Sequence, residues 1–135
     1  MSEIAFPAAD HRILARRAEI VAGLRRVLPE GGVIEKLDER RAFETDALTA
    51  YRKVPLAVVL PRSTEEVSAV LAYLHEQGVP VTPRGAGTSL SGGAIPQEDA
   101  VVVCVARMNR VLEIDFPNRV ARVEAGVTNL AISNA

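Results

Sequence analysis

The sequence is poor in the residues that build metal sites and covalent cross-links. Its 135 residues include one cysteine, Cys104, and two histidines, His11 and His75. A single cysteine excludes an internal disulfide bond, and this chain alone has too few Cys and His residues for a zinc or iron–sulfur site. We therefore expect no metal. Because Cys104 lies in an apolar stretch, we expect it to be a small core residue.

An excess of positive charge and long apolar runs are also missing. Sixteen Lys and Arg residues against 17 Asp and Glu residues leave a net charge of −1, whereas nucleic-acid-binding domains normally carry a basic excess. No stretch approaches the roughly 18 apolar residues of a membrane span, and charged residues interrupt the region where a signal peptide would have its apolar core. We therefore expect no nucleic-acid partner, no membrane span and a cytoplasmic location.

Apolar residues make up 48% of the chain, which is enough for a folded domain of this length. Residues 10–28 have apolar positions at helical spacing, with Asp10 as a possible N-cap and Pro29 as a stop. Residues 33–53 are rich in charge and predict a helical or irregular connector. We therefore assign residues 1–53 to an N-terminal helical segment.

A strand, a helix and a second strand are predicted next, within thirty residues. The apolar, β-branched run Val54–Leu60 predicts a strand that is buried on both faces. Ser63 and Glu66 form a capping-box pattern for a helix that is closed by Gly78. Val79–Thr82 predicts the second strand. Such a βαβ unit has parallel strands.

The remaining elements complete an α+β fold. Ala100–Ala106 predicts another buried strand, Leu112–Asp115 and Arg119–Glu124 predict a hairpin, and Thr128 is a possible N-cap of a last helix. The fold class is therefore a small parallel βαβ sheet with helices, followed by the start of an antiparallel part. Because no stop signal precedes Ala135, we expect the chain to be the N-terminal piece of a longer protein.

A long glycine-rich loop, residues 83–97, is the main candidate for a binding site. Gly87 and Gly92 have the spacing of a Walker A loop, but the Lys and Ser/Thr that should follow are missing. A Rossmann fingerprint starting at Gly85 lacks its third glycine and its helix. Both of these phosphate-binding designs are therefore excluded.

A loop that binds a diphosphate with its own backbone amides remains possible. Gly85 and Gly87 permit positive φ and close approach of a ligand, and successive N–H groups in a tight path form an anion-binding concavity. Thr88 and Ser89 add hydroxyl donors, and Arg84 adds positive charge. The alternative is an ordinary surface loop whose glycines serve only its turns.

Five segments in fixed order resemble the FAD-linked oxidases of the vanillyl-alcohol oxidase/p-cresol methylhydroxylase type. Within that family the sequence is most similar to the FAD-binding subunits of bacterial glycolate oxidases and to D-lactate dehydrogenases. The segments that carry the resemblance are Pro61–Val67, Gly78–Val81, Pro83–Pro96, Arg107–Val111 and Val123–Ala135.

The resemblance implies a p-cresol methylhydroxylase-type FAD-binding domain, incomplete here, over residues 54–135. It also implies that a segment of the loop wraps the FAD diphosphate through backbone amides. The family often has Gly where this chain has Ala86, and relatives with covalent flavin have His where this chain has Thr88. We therefore expect non-covalent FAD. The implied cofactor-binding residues are Pro83, Arg84, Gly85, Ala86, Gly87, Thr88 and Ser89.

The resemblance further implies that the whole protein oxidises a 2-hydroxy acid, glycolate or D-lactate, to the 2-oxo acid. The substrate site of this family lies beyond the segment matched here, so no catalytic residue is assigned and we expect the 135 residues alone to be inactive. Partner subunits of a glycolate oxidase complex are an expectation of the same kind. Two other functions stay open: a non-enzymatic nucleotide- or anion-binding module that uses the same loop, and a structural domain without a ligand.

Overall fold

The computed structural model describes residues 6–135, in which a four-stranded mixed sheet is the central element. Its strands are β1 (Val33–Ile34), β2 (Ala57–Val59), β3 (Val81–Arg84) and β4 (Val101–Cys104), in the spatial order β1-β2-β4-β3. Strands β2 and β3 both pair with β4 in parallel, and β1 is antiparallel to β2. The predicted parallel arrangement is thus confirmed. The fully buried β4 lies between the two strands of the predicted βαβ unit.

The predicted helix over residues 10–28 is two helices, α1 (His11–Ala15) and α2 (Arg17–Val27). The break lies at Arg16, whose φ and ψ are −92° and 8° and whose N–H reaches Ile13 O at 3.0 Å in a tightened turn. Asp10 is the N-cap as predicted, because its side chain accepts from the Arg12 N–H at 2.8 Å. The apolar spacing gave no sign of the break.

The charge-rich connector is helical only in short pieces. It contains α3 (Leu37–Arg40) and a 3₁₀ turn over Arg41–Phe43, and it then runs as irregular chain up to β2. The two-residue strand β1 precedes them, and no pattern in the sequence predicted it. The connector lies close to the sheet, since Arg40 donates to Pro55 O at 2.6 Å.

The helix between the two predicted strands is α4 (Thr64–Glu76), and its start is close to the predicted one. Ser63 Oγ accepts from the Glu66 N–H at 3.2 Å. The Glu66 carboxylate does not return to Ser63; it accepts from the Arg62 N–H at 2.7 Å. Gly78 ends the helix with a φ of +65°, which fits the left-handed position that glycine occupies after a helix.

Both faces of the sheet are buried. On one face, side chains of α2 and α4 pack on strand residues; the fully buried members include Ile20, Leu24, Val70, Leu74, Ala57, Val59 and Val101. A smaller cluster of Val58, Val102 and Cys104 lies on the other face, next to Phe43. Cys104 is therefore a core residue as predicted. The N-terminal helices share this core with the strands, and a boundary at residue 53 stays a prediction.

The antiparallel part is a separate two-stranded sheet of β5 (Val111–Asp115) and β6 (Val120–Val123), followed by α5 (Asn129–Ser133). The hairpin is confirmed, and Thr128 caps α5 by accepting from the Ala131 N–H at 3.2 Å. Large apolar side chains of this part are exposed, namely Leu112, Phe116, Val120 and Leu130. Within the described residues, the hairpin therefore has an apolar surface that nothing covers.

Candidate functional site: the glycine-rich loop

The glycine-rich loop starts where β3 ends, at the carboxyl end of a parallel strand. Pro83 and Arg84 are still strand residues, paired with Val103 and Cys104. β3 is an outer strand of its sheet, where a proline without an N–H group costs no ladder hydrogen bond. Of the seven predicted cofactor-binding residues, the first two therefore belong to the strand and the other five to the loop.

The amides at the start of the loop are free of intramolecular bonds. The six successive N–H groups of Gly85 to Leu90 donate to no other atom of residues 6–135. The next N–H group, that of Ser91, reaches Ser89 Oγ at 3.3 Å. A run of unpaired backbone donors outside a helix or sheet is what an anion-binding loop presents.

Two glycines of the loop have different roles. Gly87 uses the positive φ that glycine permits, at +73°, and so does Gly92, at +76°, whereas Gly85 has no left-handed φ. Gly85 instead provides open space, since a Cβ there would meet no atom within 4 Å. A Cβ at Gly87 would overlap the guanidinium of Arg84.

The Arg84 side chain makes its polar contacts with the protein's own carbonyl groups. Its Nη1 donates to Thr45 O at 2.7 Å and to Ala94 O at 3.4 Å. The guanidinium carbon lies 5.5 Å from the centre of the Phe43 ring, within the range of a cation–π contact. A contact between this charge and a phosphate group stays a prediction.

The connector before β2 lies against the loop and carries a buried carboxylate. Asp46 is 4% exposed; its Oδ1 accepts from the Leu48 N–H at 2.8 Å, and its Oδ2 has no partner among residues 6–135. Leu48 reaches Gly92, because its Cδ2 lies 3.7 Å from a Cβ built there. Sequence reasoning missed this neighbourhood, since no local pattern signals a contact across about forty residues.

An apolar groove of about 340 Å³ lies beside Gly85, between α4 and the outer strand. Its lining includes Val67, Leu71, Val81 and Val103. Open space and free amides are thus adjacent at the end of β3. The groove offers apolar surface next to the donors, which suits a ligand with one charged and one apolar part.

The clearly shifted carboxyl groups lie outside the loop and serve the structure. Hydrogen bonds from the Arg12 side chain and backbone lower the pKa of Asp10 to about 2. Hydrogen bonds from Arg110, at 2.7 to 2.9 Å, lower the pKa of Glu124. Both carboxylates are ion-paired, with Arg12 and Arg110, and neither forms the paired arrangement of an acid–base site.

Within residues 6–135, no cluster of three or more His, Cys, Asp or Glu side chains is arranged to hold a metal ion. None of the helices in that part of the chain is both long enough and apolar enough to cross a bilayer.

The loop fits the diphosphate of a dinucleotide cofactor. Its six unused N–H groups match an acceptor-rich anion, and the absent Cβ at Gly85 leaves the space for close approach. The donors are backbone groups of the loop that follows the end of β3.

Residues 55–135 match the protein family "FAD binding domain". The chain is 46% identical over 119 residues to the glycolate oxidase subunit GlcD of Escherichia coli strain K12, covering 88% of this chain and 24% of that protein. It is 44% identical over 99 residues to a D-lactate dehydrogenase of Archaeoglobus fulgidus, covering 73% and 22%. The chain thus spans about a quarter of the length of these curated relatives.

Solved structures share the fold. The 4-ethylphenol oxidase of Gulosibacter chungangensis superimposes with a TM-score of 0.78 at 23% identity, over 94% of this chain and 25% of that one. A p-cresol methylhydroxylase gives a TM-score of 0.73 at 21% identity, with the same coverage. These matches confirm the α+β fold predicted from the sequence. The chain belongs to the FAD-binding-domain family, whose cofactor is FAD, and it shares its fold with p-cresol methylhydroxylase.

Proposed function

We propose that the glycine-rich loop holds the diphosphate of FAD. The observation that supports this most directly is the run of six amides, Gly85 to Leu90, that donate to no atom of residues 6–135. Such N–H groups stabilise an anion without a side-chain charge. The proposed cofactor-binding segment is the predicted one: Pro83, Arg84, Gly85, Ala86, Gly87, Thr88 and Ser89. In it, the strand end of Pro83 and Arg84 aims the loop, and the amides from Gly85 onward donate.

The cofactor is held non-covalently at this loop in our proposal. Thr88 is exposed there and has a hydroxyl group, which is not a side chain that forms the histidyl–flavin link expected at this position in relatives with covalent flavin. Binding then depends on hydrogen bonds and burial alone. The flavin supplies the redox chemistry when bound, and the residues of this chain bind and orient it.

For the whole protein, we infer the oxidation of a 2-hydroxy acid, glycolate or D-lactate, to the 2-oxo acid. The support is the identity of 44–46% to a glycolate oxidase subunit and a D-lactate dehydrogenase. We place the catalytic residues outside residues 1–135, and we divide those residues into an N-terminal helical segment, 1–53, and the first part of the FAD domain, 54–135. Partner subunits and a cytoplasmic location belong to the same proposal.

Two alanine substitutions, made in the whole protein, test the diphosphate site. A methyl group at Gly85 meets no protein atom within 4 Å, so Gly85→Ala leaves the thermal midpoint of the apoprotein unchanged within about 2 °C, while it obstructs the approach to the amides. We expect FAD affinity, measured by flavin fluorescence, to fall at least about tenfold, which corresponds to ~1.4 kcal/mol.

Gly93→Ala is the matched control, because Gly93 lies in the same loop, has no left-handed φ and also has room for a methyl group, with Ser89 Oγ 3.9 Å away. We expect wild-type FAD affinity for this variant. Equal affinities of the two variants would contradict the proposed site. Tight binding of ADP with no preference for FAD would favour the non-enzymatic nucleotide-binding module instead.

A further inference from the structure

We infer that Arg84 is a positioning residue: its side chain fixes the glycine-rich loop to the connector around Phe43 and Thr45 and acts on FAD through the loop's amides. The inference rests on the proposed function, and it assigns the charge of Arg84 a role other than neutralising a phosphate group. It also makes the connector, which precedes the family-matched residues 55–135, part of the cofactor site.

The first argument is the geometry of the guanidinium. Its Nη1 donates to Thr45 O at 2.7 Å, and Ala94 O lies at 3.4 Å from the same nitrogen. Thr45 precedes β2, and Ala94 lies late in the loop, so one side chain joins three distant parts of the chain. A planar guanidinium donates in several fixed directions at once, whereas an ammonium group is a point charge without that geometry.

The second argument is the close packing of Phe43 and Gly87 around the guanidinium. The Phe43 ring lies 5.5 Å from its central carbon. Gly87 is so close that a Cβ there would overlap its atoms Nη2, Cζ and Nε. The side chain is therefore confined by a ring, by a carbonyl oxygen and by the loop itself. Because Gly87 rests on the guanidinium, the direction of the neighbouring amides depends on that group.

The third argument comes from the connector. Thr45 Oγ1 donates to Tyr51 O at 2.9 Å, and the Lys53 N–H donates to Glu44 O at 2.8 Å. The connector segment that accepts the hydrogen bond from Arg84 is therefore held in place by its own hydrogen bonds. Because this segment is fixed, its contacts with the Arg84 guanidinium set the position of the loop.

Direct and indirect roles of Arg84 predict different variant series. If the charge touched the diphosphate, Arg84→Lys would keep most of the affinity, and loss of the charge would reduce the salt dependence of binding. If the guanidinium positions the loop, Arg84→Lys loses the planar contacts and weakens binding about as much as Arg84→Ala. The salt dependence then stays the same in all variants.

The experiment measures the FAD dissociation constant of the whole protein, as wild type and as the two Arg84 variants, at two salt concentrations. It also measures the thermal midpoint of each apoprotein. We expect Arg84→Lys and Arg84→Ala to bind FAD at least about tenfold more weakly, with unchanged salt dependence. Near-wild-type affinity of Arg84→Lys, together with weaker salt dependence in Arg84→Ala, would overturn the inference.

A double-mutant cycle gives a second readout that overall destabilisation does not imitate. Gly87→Ala introduces a methyl group that overlaps the guanidinium, so we expect its cost in FAD affinity to be several-fold smaller when residue 84 is already alanine. Additive effects would contradict the contact. Phe43→Leu changes the connector that contacts Arg84 and is expected to weaken FAD binding as well. Unchanged binding would count against the inference.

Gly85→Ala separates this inference from the proposed function. If that variant binds FAD like the wild type, the diphosphate site itself is wrong. If it binds weakly while Arg84→Lys binds normally, the site stands and the positioning role of Arg84 is wrong.

Discussion

Leu24→Ala tests whether the N-terminal helices and the sheet form one cooperative core. Leu24 is fully buried and lies in the cluster that joins α2 to α4 and to β2 and β4. Truncating a buried leucine to alanine costs about 2–5 kcal/mol, because the transfer free energy is lost and a cavity remains. That is a large part of the roughly 5–15 kcal/mol by which domains are stable.

Urea unfolding of the 135-residue chain, followed by far-ultraviolet circular dichroism, measures this cost. With a denaturant slope of about 2 kcal/mol per M, a loss of about 3 kcal/mol lowers the midpoint by roughly 1.5 M. Leu37→Ala is the control, because that leucine is 48% exposed, and we expect it to lower the midpoint by no more than about 0.3 M. Equal shifts for the two variants would refute the shared core.

Three further changes test the caps and ion pairs. Ser63→Ala removes the N-cap of α4 and is expected to destabilise the chain by about 1 kcal/mol in the same urea assay; no measurable loss would contradict the cap. Asp10 has a folded pKa of about 2, below its ordinary 3.8, so its stabilising effect is present above pH 4 and lost as the pH falls toward 2; a carboxyl carbon titration by NMR with a midpoint near 4 would contradict this. Glu124→Gln removes the ionised partner of Arg110, and we expect faster amide exchange in β5 and β6, whereas unchanged exchange would show that the pair does not support the hairpin.

The sequence predicted the structure best where residues close together in the chain determine it. The cap at Ser63, the stop at Gly78 and the hairpin around Phe116-Pro117-Asn118 depend on residues within a few positions of each other. The strand of residues 54–60 was predicted longer than the observed β2, because Pro55 and Leu56 are as buried as the strand residues although they precede it.

The features that the sequence did not predict depend on contacts between residues far apart in the chain. The order of β2, β4 and β3 depends on which strands pair across distant parts of the chain, and a local pattern does not show that. The glycines predicted an irregular segment, which the structure has from Gly85 onward, and the resemblance of the sequence to FAD-linked oxidases fits the FAD-binding family that residues 55–135 match. The binding of the cofactor by this segment stays a prediction. The partners of Arg84, by contrast, lie 39 residues earlier in the chain and 10 residues later, so only the folded structure reveals where its guanidinium goes.

A crystal structure of the whole protein with FAD bound is the most direct test of the central claim, that the loop amides bind the FAD diphosphate. The account predicts that oxygens of the FAD diphosphate lie within about 2.7–3.2 Å of backbone nitrogens between Gly85 and Leu90. A diphosphate bound elsewhere, with these nitrogens facing away from the cofactor, would contradict it.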